Sequence, residues 1–410
     1  MTLPPIKFPR PIDYFIIGSL AVPVIYVYAG FFSPDSAMLS YGAVPGRILW
    51  FIRIVFPLTY AGFVVLYSSV RRHKIDRGSI VLMAVATMVC LIAGYSIADL
   101  YYQRWFDLHR KEYHPYLQLM PADFSSLRER APDTVTVFCL GGSTTELRDS
   151  GGVDWPSGVE GILRTTYGLR RLRVYNLGRQ WYTSLHTLIN FETNLRRFKP
   201  SLILYMGSVN DLLQNADFSY FSRGPFREDY GHFYGPVNRI IGRRSLGRYL
   251  RDVIAGLWYA KPRRVITTRM FPGLEAYKRN IGTLIELAGH DSIRIVLMTE
   301  PYLIKPVMSD EERSVMGLLN REAINDSMVW SSETAVNGME EYNDALREIA
   351  DRNKLPLIDL EKEVPKSLVF FRDEVHYRDT AYPMIARFVA ERLHEILSAG
   401  GINGTDGNTR

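Results

Sequence analysis

Thr134-Val135-Thr136-Val137-Phe138-Cys139-Leu140-Gly141-Gly142-Ser143-Thr144-Thr145-Glu146 holds the strongest structural signal in this chain. Its first half is a short run of β-branched and apolar residues, the composition of a strand buried on both faces. Two glycines end the run and let the backbone turn sharply. A serine placed just after them presents its hydroxyl at the rim of a sheet. Its own N–H joins the donors at the start of a helix, where a negative oxygen is stabilised. Taken alone, a serine in this setting is also an ordinary helix N-cap.

The same alternation continues downstream. Thr134–Leu140, Leu172–Tyr175, Ser201–Met206, Ile293–Thr299 and Leu355–Ile358 read as buried strands. Val159–Tyr167, Leu185–Phe198, Leu274–Leu287, Glu340–Ala350 and Thr380–Leu397 carry helical periods between and after them. Short apolar strands alternating with helices predict an α/β domain with a mostly parallel sheet covered on both faces. In such a sheet the site forms at the carboxyl ends of the strands.

Three further motifs fall at those ends. Asn176-Leu177-Gly178 follows the second strand, and Gly207-Ser208-Val209-Asn210-Asp211 follows the third. Asp373-Glu374-Val375-His376 precedes the last helix. An Asp and a His three residues apart can lie side by side on a turn, so that the carboxylate orients the imidazole. That imidazole can accept the proton of a serine hydroxyl, the arrangement of a Ser-His-Asp triad. A backbone N–H at Gly178 and the Asn210 amide would join the Ser143 N–H as oxyanion donors. The G-x-S-x-G elbow of α/β-hydrolases is absent from the Ser143 stretch.

In the order serine, glycine, asparagine, histidine, these motifs resemble the SGNH/GDSL hydrolase superfamily, over roughly Thr134 to Leu397. The Leu140–Thr145 motif, L-G-G-S-T-T, is similar to that of members from bacterial envelope and exopolysaccharide contexts. The resemblance implies a flavodoxin-like three-layer fold. It implies Ser143 as nucleophile, His376 as base, Asp373 as the orienting acid, and Ser143, Gly178 and Asn210 as the oxyanion hole. Thr299-Glu300-Pro301-Tyr302 and Tyr342-Asn343 also resemble later stretches of the family, with no role assigned. The chain departs from the pattern at three places. Trp181 stands where the second motif usually has its second glycine, Ser208 where the third has its glycine, and Ala381 replaces a common glycine after the histidine. Trp181 and Thr144 are the candidate substrate contacts, the Trp181 ring either narrowing the pocket or serving as a platform for a sugar ring.

Upstream, three long apolar runs occupy the first hundred residues: about 14–32, 48–70 and 79–100. Each approaches the ~20 residues that cross a bilayer as a helix. Aromatic residues such as Trp50, Tyr101 and Tyr102 fall near their ends, where interfacial rings are favoured. The run from Tyr14 is too long for a signal peptide and lacks a small-residue cleavage site. The loop with Arg71, Arg72, Lys74 and Arg77 is the more basic, which places it and the N-terminus in the cytoplasm. The expected plan is therefore a membrane region over 1–103, a catalytic domain over 104–399 on the outer side of a bacterial inner membrane, and a disordered tail over 400–410.

Between about residues 214 and 270 the chain carries an insertion rich in arginine and aromatic residues. Within it, Leu246, Tyr249, Leu250, Val253, Ile254, Leu257 and Trp258 recur at helical spacing. Such a stretch is either a packed amphipathic helix or an interfacial lid facing lipid or an anionic glycan. The net charge of +6 is modest and its basic residues cluster here and beside the membrane runs, so a membrane surface or acidic polymer is expected and nucleic acid is not. Two cysteines cannot build a disulfide framework, and no Cys/His set has metal-ligand spacing, so no metal and no cofactor are expected.

A triad of this type outside a membrane implies ester chemistry through an acyl-serine, with water as acceptor in an esterase and a sugar hydroxyl in an O-acyltransferase. O-acetyl groups of an envelope glycan or exopolysaccharide are the expected substrate, with a separate membrane acyl-donor protein as partner if acetyl is transferred. A lysophospholipase or lipid esterase, and a catalytically silent glycan-binding subunit of an export complex, are the alternatives.

Overall fold

The apolar runs form one sheet because each is short, β-branched and flanked by a turn. The strands are β1 (Val135–Gly141), β2 (Leu172–Asn176), β3 (Leu202–Met206), β4 (Arg294–Met298) and β5 (Leu357–Ile358). They lie in the order β2-β1-β3-β4-β5 with every pairing parallel, the order of flavodoxin-like folds. Every residue of β1 and β3 is buried, as central strands covered on both faces must be. The edge strand β2 alternates instead: Leu172 and Val174 are buried while Arg173 is exposed.

This is a computed structural model; it describes a few positions between 96 and 104, then 113–114, 117–127, 134–214, 264–316 and 328–400. The expected membrane runs, most of the arginine-rich insertion and the tail after Gly400 lie outside the described residues. No helix among the described residues is long and apolar enough to cross a membrane. The sheet belongs to one of the chain's two compact units.

Seven helices matter for the site: α1 (Ser143–Glu146), α2 (Trp155–Thr165), α3 (Ser184–Asn190), α4 (Val209–Gln214), α5 (Leu274–His290), α6 (Ser332–Arg352) and α7 (Ala381–Ala399). The strand order decides their sides. The β1-to-β2 connection runs one way along the sheet, and the later connections run the other. With crossovers of one hand, α2 therefore covers one face while α3, α5 and α6 cover the opposite one. Their packing agrees, for α2 packs on α7, and α5 packs on α3 and α6. Two of the starts are capped by side chains: Asp154 accepts from Ser157 N, and Ser331 accepts from Thr334 N.

Three elements differ from expectation. The helix predicted over Val159–Tyr167 starts earlier, at Trp155, and ends at Thr165. The helix predicted over Leu185–Phe198 begins at Ser184 but widens into a π-turn at Phe191–Leu195 and tightens into a 3-10 turn at Arg196–Phe198. Thr193 Oγ1 donates to the Ile189 carbonyl at 2.7 Å, and Asn194 Nδ2 to Asn190 Oδ1 at 2.9 Å. The Thr193 hydroxyl loosens the helix by competing for its backbone, while Phe191 and Leu195 stay buried. The helix predicted over Glu340–Ala350 is longer, because Ser331 starts it eight residues earlier at Ser332. Two small two-stranded pieces were not anticipated, the hairpin of Tyr113–His114 with Gln118–Leu119 and the parallel pair of Arg264–Ile266 with Met328–Trp330.

Candidate active site

The turn after β1 places the serine. Gly142 caps α1 with an extended backbone, and Ser143 is the first helical residue. At that position its N–H has no acceptor within the helix. Ser143 is only 9% exposed, so its hydroxyl sits in the floor of the site.

His376 and Asp373 arrive on a closed loop. Phe371 bridges to Tyr377, and Arg372 N donates to the His376 carbonyl at 3.0 Å. Inside the loop Asp373 Oδ1 accepts from Val375 N at 3.0 Å and from His376 N at 2.8 Å, an Asx-type turn. Its other oxygen, Oδ2, lies 2.8 Å from His376 Nδ1, and His376 Nε2 lies 2.7 Å from Ser143 Oγ. A carboxylate can only accept, so Nδ1 carries the proton and Nε2 presents a lone pair to the serine hydroxyl. Burial pushes the Asp373 carboxyl up, yet the hydrogen bonds and charge of His376, with the Val375 N–H, outweigh it and hold the group below its ordinary value. The chain of three side chains is complete in one structure.

Asn210 lies in the first turn of α4, 5% exposed, and its Nδ2 donates to the Tyr182 carbonyl at 2.9 Å. That nitrogen carries a second hydrogen, which remains for an oxyanion. The amide packs directly on the serine turn. A methyl group at Gly142 would fall 2.6 Å from Asn210 Nδ2. Gly142→Ala is therefore expected to push the amide aside and lower kcat by about 100-fold, the scale of one lost oxyanion donor, with little change in melting temperature. Parent-like kcat in ester turnover would show that Asn210 gives nothing to the reaction.

Two of the expected site residues sit differently from the resemblance. Gly178 N donates to Asn176 Oδ1 at 3.1 Å, so this N–H is already engaged. The glycine is required for a different reason: a Cβ there would lie 2.7 Å from Thr145 Cβ and 2.8 Å from Glu146 N, where the β2 loop presses on α1. Thr144, expected to touch substrate, is 1% exposed, and its hydroxyl donates to Glu300 Oε1 at 2.7 Å. It is turned into the protein.

Trp181 takes a left-handed backbone, φ 63, which bulky residues rarely adopt and glycine adopts freely. That conformation accounts for the glycine usual at this position in the family pattern. The loop around it is clamped on both sides. Arg179 pairs with Glu146 at 2.6 Å, Gln180 N donates to the same carboxylate at 2.6 Å, and Tyr182 Oη donates to the Leu119 carbonyl at 2.8 Å. Trp181 itself is half-buried and packs on the core.

Beneath both loops lies Glu300, just past β4 and 1% exposed. Its Oε2 accepts from Ser208 N at 2.7 Å, Ser208 Oγ at 2.8 Å and Val209 N at 2.8 Å. The serine at the place of a family glycine is thus used as a donor. Next to Asn210, Asp211 accepts from Ser184 N at 2.8 Å and Ser184 Oγ at 2.5 Å. Burial, with Glu300's charge nearby, pushes its carboxyl up to about 7 against those hydrogen bonds. Sequence motifs marked the Glu300 stretch without a role; the signal for one is a carboxylate at the end of an otherwise apolar buried strand.

No family model matches this chain, and no curated protein matches it. Among solved structures, it is similar to a lipase/acylhydrolase from Enterococcus faecalis at 16% identity and TM-score 0.38, over 64% of this chain and 97% of that one. A GDSL-like lipase from Bacteroides thetaiotaomicron aligns at 15% identity and TM-score 0.36, over 67% of this chain and 94% of that one. A catalytic mutant of an acetylxylan esterase from Geobacillus stearothermophilus aligns at 16% identity and TM-score 0.38, over 67% and 97% respectively.

Proposed function

We propose that this chain is a serine-dependent ester hydrolase or O-acyltransferase of the SGNH type, acting on O-acetyl groups of an envelope glycan or exopolysaccharide. The observation that carries this is the hydrogen-bonded line from Ser143 Oγ through His376 to Asp373, 2.7 and 2.8 Å long in its two links. Ser143 Oγ attacks the ester carbonyl carbon as its proton passes to His376 Nε2. The carbonyl oxygen becomes an oxyanion, met by the Ser143 N–H and the Asn210 amide. Collapse breaks the bond to the alcohol oxygen, which leaves with the proton from His376, and the acyl group stays on Ser143. Water or a sugar hydroxyl then gives its proton to His376 and attacks the acyl-serine; as the acyl–Oγ bond breaks, Ser143 Oγ takes that proton back and an acid or a new ester is released.

The proposal includes tethering to a bacterial inner membrane by the apolar runs before residue 103, with the catalytic domain outside. The bilayer, an envelope glycan and, for transfer, a membrane acyl-donor protein are then its partners. Cysteines placed in the Arg71–Arg77 loop should be protected from an impermeant reagent in intact cells, whereas cysteines near Gly400 should react. The reverse pattern would put the site in the cytoplasm and remove the envelope substrate. For the chemistry, the full-length protein is assayed for acetate release from an aryl acetate and from O-acetylated glycans. Folded protein that releases none from either, and transfers none to glycan when supplied with an acyl donor, would contradict the proposal.

A further inference from the structure

We propose that Glu300 is a positioning residue for acyl transfer: a buried carboxylate that locks the Ser143 loop and the Asn210 loop to the end of β4. It thereby sets the nucleophile against its oxyanion donor. The inference rests on the serine chemistry proposed above. A carboxylate this far from water is costly unless it is paired or fully hydrogen-bonded. No Lys, Arg or His pairs with Glu300 among the described residues, so its charge is held by four donors alone. Those donors sit at telling positions. Thr144 is the residue after the nucleophile, and Ser208 and Val209 are the two residues before Asn210. The side chain therefore joins the two halves of the site one residue away from each working group.

The anchor behind it is equally fixed. Glu300 N donates to Asn343 Oδ1 at 2.9 Å, and Asn343 Nδ2 donates back to the Glu300 carbonyl at 3.0 Å. One amide on α6 thus holds both backbone groups of the residue. The arrangement also commits the N–H groups of Ser208 and Val209 to Glu300, so that neither is left for an oxyanion. An alanine would release both loops from the end of β4. A glutamine would not, because its oxygen can accept from Ser208 and Val209 while its NH2 donates to the Thr144 hydroxyl, which accepts as well as donates.

The test compares full-length parent, Glu300→Ala and Thr144→Val, with the reactive serine counted in each sample by a fluorophosphonate titrant. Turnover of an aryl acetate is then expressed per titrated serine. Glu300→Ala is expected to lower kcat per site by about 100-fold, the scale of a misplacement near 1 Å, with KM changing far less. Thr144→Val removes only the tie to the nucleophile loop and should lower kcat per site in the same direction by less. Parent-like kcat per site in both variants overturns the inference, even if fewer sites titrate, because Glu300 would then serve folding alone. If Glu300→Ala does not fold, Thr144→Val decides by the same criterion. A parent that takes up no titrant at all contradicts the serine chemistry itself, a distinct failure that takes this inference with it.

Discussion

Ser143→Ala is expected to lower ester turnover by about 10^6-fold, the scale seen when a triad nucleophile is removed. The substitution deletes one oxygen and its 2.7 Å link to His376. Everything else about the site stays: the backbone N–H of residue 143, the Asn210 amide on the Tyr182 carbonyl, and the Asp373–His376 pair. The hydroxyl makes no other hydrogen bond among the described residues, so folding loses little. Melting temperature should stay within a few degrees of the parent, and the small residual rate would come from binding and the oxyanion donors. Initial rates on an aryl acetate, with a thermal melt on the same sample, check both halves. A folded variant that keeps most of its activity would remove Ser143 from the mechanism.

Asp373→Asn should cost about 10^4-fold in kcat, through the tautomer rather than the fold. The carboxylate accepts three hydrogen bonds, from Val375 N, His376 N and His376 Nδ1. An asparagine can keep the two backbone bonds with its oxygen. Its NH2 then faces His376 Nδ1 and favours the ring with the proton on Nε2, which cannot accept from Ser143. KM should move little, since nothing in the exchange touches a substrate. Unchanged kcat would mean that the Asp-x-x-His spacing is accidental. The pH sign follows from the direction of the shift: the folded carboxyl titrates below its ordinary value. The stability it contributes is present above that ordinary value and is lost as pH falls through the lower folded one.

Much of the fold was legible because its signals are local. Each sheet strand is a short apolar run ending in a turn, and the sequence places the serine and the asparagine just past such runs and the Asp-x-x-His on the loop before the last helix. The helix from Ser184 was misjudged at its far end, where Thr193 and Asn194 bond back onto the preceding turn, an effect that hydrophobic periodicity does not carry. The three-residue Asp373–His376 spacing predicted its own hydrogen bond, since a turn can hardly place those side chains elsewhere. The oxyanion donors were harder. Gly178 looked like a donor, but whether its N–H is free depends on Asn176 two residues earlier. Thr144 was a candidate substrate contact, yet it follows the helix inward to a carboxylate 156 residues away. That long-range pairing is also why Glu300 could be noticed in the sequence but given no task.

The most direct measurement is to treat the full-length protein with a fluorophosphonate, digest it, and locate the adduct by mass spectrometry. The account predicts a single stoichiometric phosphonylated residue, Ser143, with labelling abolished in Ser143→Ala and slowed by orders of magnitude in Asp373→Asn. Labelling on another serine, or none in folded protein that still releases acetate from its ester, would contradict it.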